Sequence, residues 1–182
     1  MAGPVIAVGI DPSLTCTGIS LVDTATGATT VHSLPTTDRK TATLRERHTR
    51  IVRIARWVEG TVTVPDVGII AIERLSFGQS AGAHHDRSGL WWMIVDALAG
   101  HQVIEVSPTS LKKYATGTGN AGKDAVLLAV SRRYPGVAIT NNDEADALVL
   151  AAMAARAMGH PLEASLPQAH MLAYDTWIKG TR

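Results

Sequence analysis

The stretch VIAVGIDPSLTCTGISLVD, Val5 to Asp23, constrains the fold more than any other part of the chain. Val5, Ile6, Val8 and Ile10 are strand formers, Pro12 cannot donate a ladder hydrogen bond, and the polar turn leads through Gly18 into Ile19, Leu21 and Val22. The pattern predicts a β-hairpin whose first strand ends on a carboxylate, Asp11, beside the turn. An aspartate there is also an ordinary turn starter, because its side chain hydrogen-bonds nearby backbone amides. The rest of the chain bears on that choice, since it supplies three further carboxylates at element ends.

Ala28 to Ser33 reads as a third strand, completing an antiparallel meander. From about Asp38 to Glu59 the period changes to that of a helix, with Leu44, Ile51, Ala55 and Val58 on one face. The same span holds seven basic and three acidic residues, which suits either a solvated face or a patch for a polyanion. Val67 to Glu73, VGIIAIE, is a continuous apolar run of the kind that forms a buried central strand, and it too ends in a carboxylate. A polar loop, Ser76 to Asp86, follows and carries the only phenylalanine, Phe77. Arg87 to Leu98 reads as a helix that is apolar nearly all round. Its adjacent Trp91 and Trp92 point about 100° apart, so one core cannot serve both and one is left to face a partner subunit.

Val103 to Val106 is a further strand, and Ser107-Pro108-Thr109 caps a short helix running through Lys112 and Lys113. A glycine-rich loop, Gly117 to Gly122, separates it from a helix beginning at Lys123 and closed by Pro135-Gly136. Asn142 to Met158 is a long helix whose first turn carries Asp143, Glu144 and Asp146. The order βββαβαβα with a long final helix implies an α/β fold of three layers around a mixed sheet. Residues 1–158 are expected to form the domain, and 159–182 a C-terminal tail with a short packed helix near Gln168 to Trp177.

At 182 residues and 46% hydrophobic, the chain suits a single domain. The single cysteine, Cys16, excludes an intramolecular disulfide and a Cys-rich zinc site, and suits a reducing cytoplasm. No apolar run reaches the ~18 residues of a membrane span, and no charged leader opens the chain, so the expectation is a soluble, unexported protein. A net charge of +1 means that affinity for a polyanion must come from local patches.

Asp11 and Glu73 at strand ends, and Asp143 and Asp146 one turn apart on a helix, can meet in such a fold. Clustered carboxylates repel one another, and a divalent cation is the usual remedy. Oxygen donors without cysteine point to Mg²⁺ or Mn²⁺. Two such ions about 4 Å apart can activate water and stabilise the departing oxygen of a phosphodiester. Asp143 and Asp146 are equally well explained by favourable charge near a helix N-terminus. GTGNAGKD, Gly117 to Asp124, approaches a phosphate-binding P-loop but has Asp124 where a hydroxyl is needed, and a helix precedes it where a strand is needed. No nucleotide cofactor is expected.

VGIDPSLTCTG around Asp11, IIAIE ending at Glu73, LKKYATGTGNAGK ending at Lys123, and DEADALVLA holding Asp143 and Asp146 together resemble the RuvC-type Holliday junction resolvases of the RNase H-like nuclease superfamily. The resemblance runs from about residue 5 to 158. It implies an RNase H-like fold with a mixed five-stranded sheet flanked by helices, and a metal-dependent endodeoxyribonuclease acting on four-way DNA junctions. It further implies that Asp11, Glu73, Asp143 and Asp146 bind two Mg²⁺ (or Mn²⁺) ions and that Lys112 and Lys123 contact the DNA backbone near the scissile phosphate; Lys113, beside Lys112, is expected to hold backbone as well. Phe77 corresponds to the family's base-stacking wedge, a residue or so out of register, and Ser13 replaces the usual glycine after the Asp-Pro pair. Two symmetric cuts imply a homodimer, for which the helix from Arg87 to Leu98 is the candidate interface. A phage-type debranching nuclease and a non-catalytic junction-binding protein are the alternatives on the same fold, and a nuclease acting on RNA is a further one.

Overall fold

The computed structural model describes residues 5–37, 41–75 and 84–180. Phe77 lies outside the described residues, as do residues 38–40 at the expected start of the first helix. Five strands, β1 (Ile6–Asp11), β2 (Cys16–Asp23), β3 (Thr29–Pro35), β4 (Val67–Glu73) and β5 (Gln102–Val106), form one mixed sheet in the order β3-β2-β1-β4-β5. The first three make the expected antiparallel meander, while β4 and β5 join in parallel on the other side of β1. Helices α1 (Leu44–Val62) and α2 (His84–Ala97) cover one face, and α3 (Pro108–Thr116), α4 (Lys123–Arg133), α5 (Asn142–Ala157) and α6 (Gln168–Lys179) lie on the other side. This is the three-layer α/β arrangement that the element order implies. Among the described residues no helix is long and apolar enough to cross a membrane.

The alternation of β1 divides the core in two. Val8 and Ile10 pack with Ile54, Val58 and Ile94 under α1 and α2, while Ala7 belongs to the opposite core with Leu148 and Ala151 of α5. Gly9 and Asp11 share the face of Ala7. On β4, Ile70 and Ile72 enter the first core and Ala71 the second, so Glu73 shares the face of Ala71. Ile10 pairs with Ile72, which sets Asp11 and Glu73 side by side at the carboxyl ends of neighbouring parallel strands. In open α/β sheets that edge is where ligands bind.

α5 reaches this edge because two glycines let it lie on the sheet. A methyl group at Gly9 would overlap the Ala147 carbonyl and the Ala151 amide, and one at Gly18 would overlap the Asp143 carbonyl. Every residue of α5 from Glu144 to Ala155 is buried save Asp146, which looks into a cleft. Alanines at 145, 147, 151, 152, 154 and 155 keep the helix thin enough for this contact.

Some boundaries differ from the sequence reading for local reasons. α1 starts at Leu44 because Thr43 and Glu46 form a reciprocal capping box. β3 extends to Pro35, paired with Cys16. The tail forms a full helix, α6, with Ala173 and Trp177 buried and the Trp177 indole donating to the Glu105 carbonyl at 2.7 Å.

Gly9→Ala should lower stability by about 2 kcal/mol or more in urea denaturation, through overpacking against backbone that cannot move aside. Gly60→Ala, on α1 where nothing lies within 4 Å, should instead raise it by about 0.5–1 kcal/mol.

Candidate active site

A cleft of about 240 Å³ opens at the carboxyl edge of β1 and β4. Asp11 enters from β1, Glu73 from β4, Asp143 and Asp146 from the first turns of α5, Lys112 from α3 and Lys123 from the first position of α4. Lys113, next to Lys112 on α3, does not line it. Pro12, Ser13, Leu75 and Pro108 complete part of the wall, and two arginines that the motif reading missed, Arg74 and Arg87, stand on it as well. Arg74 directly follows Glu73, so its signal was its neighbour; Arg87 opens no recognisable motif and is brought in by the packing of α2.

The carboxylates are held by polar contacts outside the cleft. The Trp91 indole donates to the Glu73 carbonyl at 3.0 Å, anchoring the end of β4, and the Arg74 amide donates to the Val106 carbonyl at 2.8 Å. Glu144 sits between the two cleft aspartates in sequence but turns away from them. Its carboxylate accepts from the Ser33 hydroxyl at 2.7 Å and from the Thr140 amide and hydroxyl at 2.7 and 2.8 Å. Asn141 caps α5 by accepting from the Glu144 amide at 2.9 Å, and its side-chain amide donates to Ser33 at 3.1 Å. The edge strand β3 thus pins the helix end that carries Asp143 and Asp146. Burial alone would raise the pKa of Glu144, but these donors outweigh it and hold the group below the usual carboxylate range.

In the cleft the balance is reversed. Burial, then the charge of Glu73 and a hydrogen bond to it, push Asp11 well above its ordinary value, with Asp143 adding to the shift and Lys123 opposing it. Glu73 is raised chiefly by burial, against the bond from Asp11 and the two lysines. The two carboxyls thus resist ionising together. Asp146 is pushed up to about 7 by burial and by the charge of Asp11, with Lys123 and Lys112 pulling the other way. Cys16, beside Asp143, is raised to about 11 by burial and then by that carboxylate, which leaves it a protonated thiol and a poor nucleophile at neutral pH. Acidic groups this crowded resist ionisation together, which is characteristic of functional sites.

The family model of the crossover junction endodeoxyribonuclease RuvC matches residues 7–154. The chain belongs to the RuvC family. The RuvC of Rickettsia prowazekii is 33% identical over 150 residues, spanning 80% of this chain and 94% of the relative. That of Rhodospirillum rubrum is 33% identical over 152 residues, spanning 79% and 85%. Among solved structures, Thermus thermophilus RuvC superposes with a TM-score of 0.62 at 24% identity, covering 86% of this chain and 98% of the other. T. thermophilus RuvC in complex with a Holliday junction substrate superposes at 0.64 and 20% identity, covering 86% and 97%. At these identities the likeness establishes the fold, which is RNase H-like.

Membership of the RuvC family points to a divalent metal, and the donor set can be judged on its chemistry. The cleft offers carboxylate oxygens, and their mutual repulsion is what a hard divalent cation relieves. Among the described residues no three His, Cys, Asp or Glu side chains already converge as a finished metal cage. Burial raises the affinity of Asp11, Glu73 and Asp146 for protons, with which a cation would compete.

This competition fixes the sign of a pH effect. Asp146 keeps its proton in the folded state to about pH 7, whereas at its ordinary value of 3.8 the unfolded chain releases it. The folded state then binds more protons through that window, so stability falls as pH rises across it. In EDTA, Tm should drop by several degrees between about pH 5 and pH 8, and Mg²⁺ should raise Tm more at the higher pH. Asp146→Asn should flatten both responses. A Tm in EDTA that rises across the same interval would contradict the assignment of Asp146 as a proton-holding group.

Proposed function

We propose that the chain is a structure-selective DNA endonuclease that resolves four-way (Holliday) junctions by paired, metal-dependent hydrolysis of phosphodiesters. The observation that carries this reading is the convergence of four carboxylates and two lysines, from five elements far apart in sequence, on one cleft at the sheet edge. A carboxylate cluster that were only a helix-end feature would not need partners from two strands.

Asp11, Glu73, Asp143 and Asp146 would hold two Mg²⁺ (or Mn²⁺) ions, which when bound supply water activation and stabilisation of the departing oxygen. Lys123, at the first position of α4, offers a cation to the charge that builds on the scissile phosphate. A lysine at that position opposes the helix dipole, so it gives the helix nothing, and its charge acts on the cleft acids instead. Lys112 grips the DNA backbone at the cleft wall, Lys113 grips it beyond the cleft, and Phe77 stacks on a base at the branch point. Residues 1–158 act as the nuclease domain, which the family match over 7–154 supports, and the protein works in the cytoplasm.

Resolution needs two cuts related by the two-fold axis of the junction, so the active form is a homodimer. The α2 helix is its interface. Trp91 is 7% exposed, whereas Trp92, in edge contact with it at 5.0 Å between ring centroids, is 64% exposed. An exposed tryptophan on a largely apolar helix suits an interface anchor.

Asp146→Asn should reduce cleavage at least ~10³-fold while keeping junction binding, in line with removal of a metal-binding charge. Lys123→Ala should slow single-turnover cleavage by ~10² to 10³, while Lys112→Ala should chiefly weaken binding and flatten its salt dependence. Light scattering should report a dimer that Trp92→Glu converts to monomer. In Mg²⁺, wild type should incise a four-way junction at paired phosphates and spare a linear duplex of the same sequence. Equal rates on both substrates would reduce the reading to a general nuclease, and unpaired cuts on any branch would favour a debranching enzyme.

A further inference from the structure

The tail beyond residue 158 lies outside the stretch matched by the family, yet it supplies a buried anion to the helices that carry the cleft lysines. Glu163 is 8% exposed. Its carboxylate accepts from the Tyr114 hydroxyl at 3.1 and 3.2 Å, from the Tyr134 hydroxyl, and from Arg156 Nη2 at 3.0 Å. Tyr114 stands on α3 two residues after Lys112, and Tyr134 directly follows α4, whose first residue is Lys123. Around this carboxylate the same elements are tied again. Arg133, at the end of α4, donates to the α3 carbonyls of Tyr114 and Ala115 at 3.1 and 2.6 Å, and His170 of α6 places Nδ1 2.7 Å from the Tyr114 carbonyl. Arg156 of α5 donates through Nε to the Tyr114 hydroxyl at 3.0 Å.

At the other end of α4 the preceding loop lies against Thr109 of α3 at Gly119 and against the core at Ala121. The loop from Gly117, at a φ of 85°, to Gly122 is glycine-rich, and Gly122 caps α4 without a side-chain hydrogen bond. Lys123 therefore takes its direction from the body of a helix fixed by Val126, Val130 and its C-terminal clamp. Burial and the charge of Glu163 push both phenols far above their ordinary values, so both stay protonated and remain donors. Such a network is sensitive to the loss of any one member, since a charge left unpaired in a buried site is costly.

We propose that Glu163, with Tyr114, Tyr134 and Arg156, is a positioning device by which the tail fixes α4 against α3 and so sets Lys123 in the cleft. The proposal rests on reading the cleft as the active site. Glu163 touches none of the reacting groups and acts only through the helices.

Two measurements on the full chain test it. The first is hydrogen exchange at the amides of residues 126–130, the first that are hydrogen-bonded in α4. Glu163→Gln should speed it by about tenfold or more while β1 amides stay protected, because the helix end is freed without global unfolding. The second is single-turnover cleavage of a four-way junction at saturating protein, beside junction affinity measured in EDTA. Glu163→Gln should slow cleavage about tenfold with affinity within about twofold, and in a Lys123→Ala background the same change should cost less than about twofold, since residues acting through one another are not additive. Tyr134→Phe, which removes a single hydroxyl, should reproduce each effect at smaller size and carries the test if Glu163→Gln does not fold. Unchanged exchange at 126–130, or equal losses in the wild-type and Lys123→Ala backgrounds, would overturn the proposal. A wild type that fails to cleave junctions refutes the reading of the cleft as an active site and leaves the exchange experiment to decide whether the tail orders α4.

Discussion

The contact between α5 and the sheet at Gly9 and Gly18 is the constraint on which the rest of the structure depends. With any side chain at these two positions, its Cβ would overlap the backbone of α5. With hydrogen atoms there, the helix settles between β1 and β2 and its first turns overhang the sheet edge where β1 and β4 end. That single approach distance decides whether two aspartates on a helix and two acids on strands form one site or two unrelated pairs. Because protein interiors are close-packed, even one added methyl group must move the helix or strain the sheet.

Bringing the acids together has a cost that shows in their ionisation. Asp11, Glu73 and Asp146 all resist losing protons, and burial is the leading cause for each. The two apolar cores on either side of the sheet hold this arrangement in place, and Lys112 and Lys123 partly offset its charge. On the proposed reading, a cation bound there would relieve this repulsion, and the relief would add to its binding energy.

Around the cleft, the orienting groups are polar and satisfied. Trp91 holds the end of β4, Ser33 and Thr140 hold Glu144 and through it the start of α5, and Arg133 closes the end of α3. Each comes from an element other than the one it steadies. Glu144 illustrates how the fold sorts chemically similar groups: with three good donors its charge is welcome, while Asp146, two residues on, faces other acids and is pushed towards neutrality.

Much of this was legible in the residues themselves. Asp11 and Glu73 read as strand-end acids because continuous apolar runs stop at them, and that is a local property of the chain. Asp143 and Asp146 read as one face because a helix repeats every 3.6 residues. The limits of α3 and α4 followed from Ser107, Pro108 and the glycines after Gly117. Other features depended on how elements pack. Lys112 lines the cleft and Lys113 does not, Trp91 is buried and Trp92 is not, and Glu144 turns away from the two aspartates beside it. In each case neighbours in sequence differ by about 100° around a helix, and the rotation of that helix is set by what it buries against other elements. Arg74 and Arg87 on the cleft wall, and the joining of the tail to α3 and α4 through Glu163, belong to the same class. Local pattern determined which residues end strands and share helix faces; tertiary packing decided which of those faces meet, because the energy that orients a helix lies in contacts with residues distant in the chain.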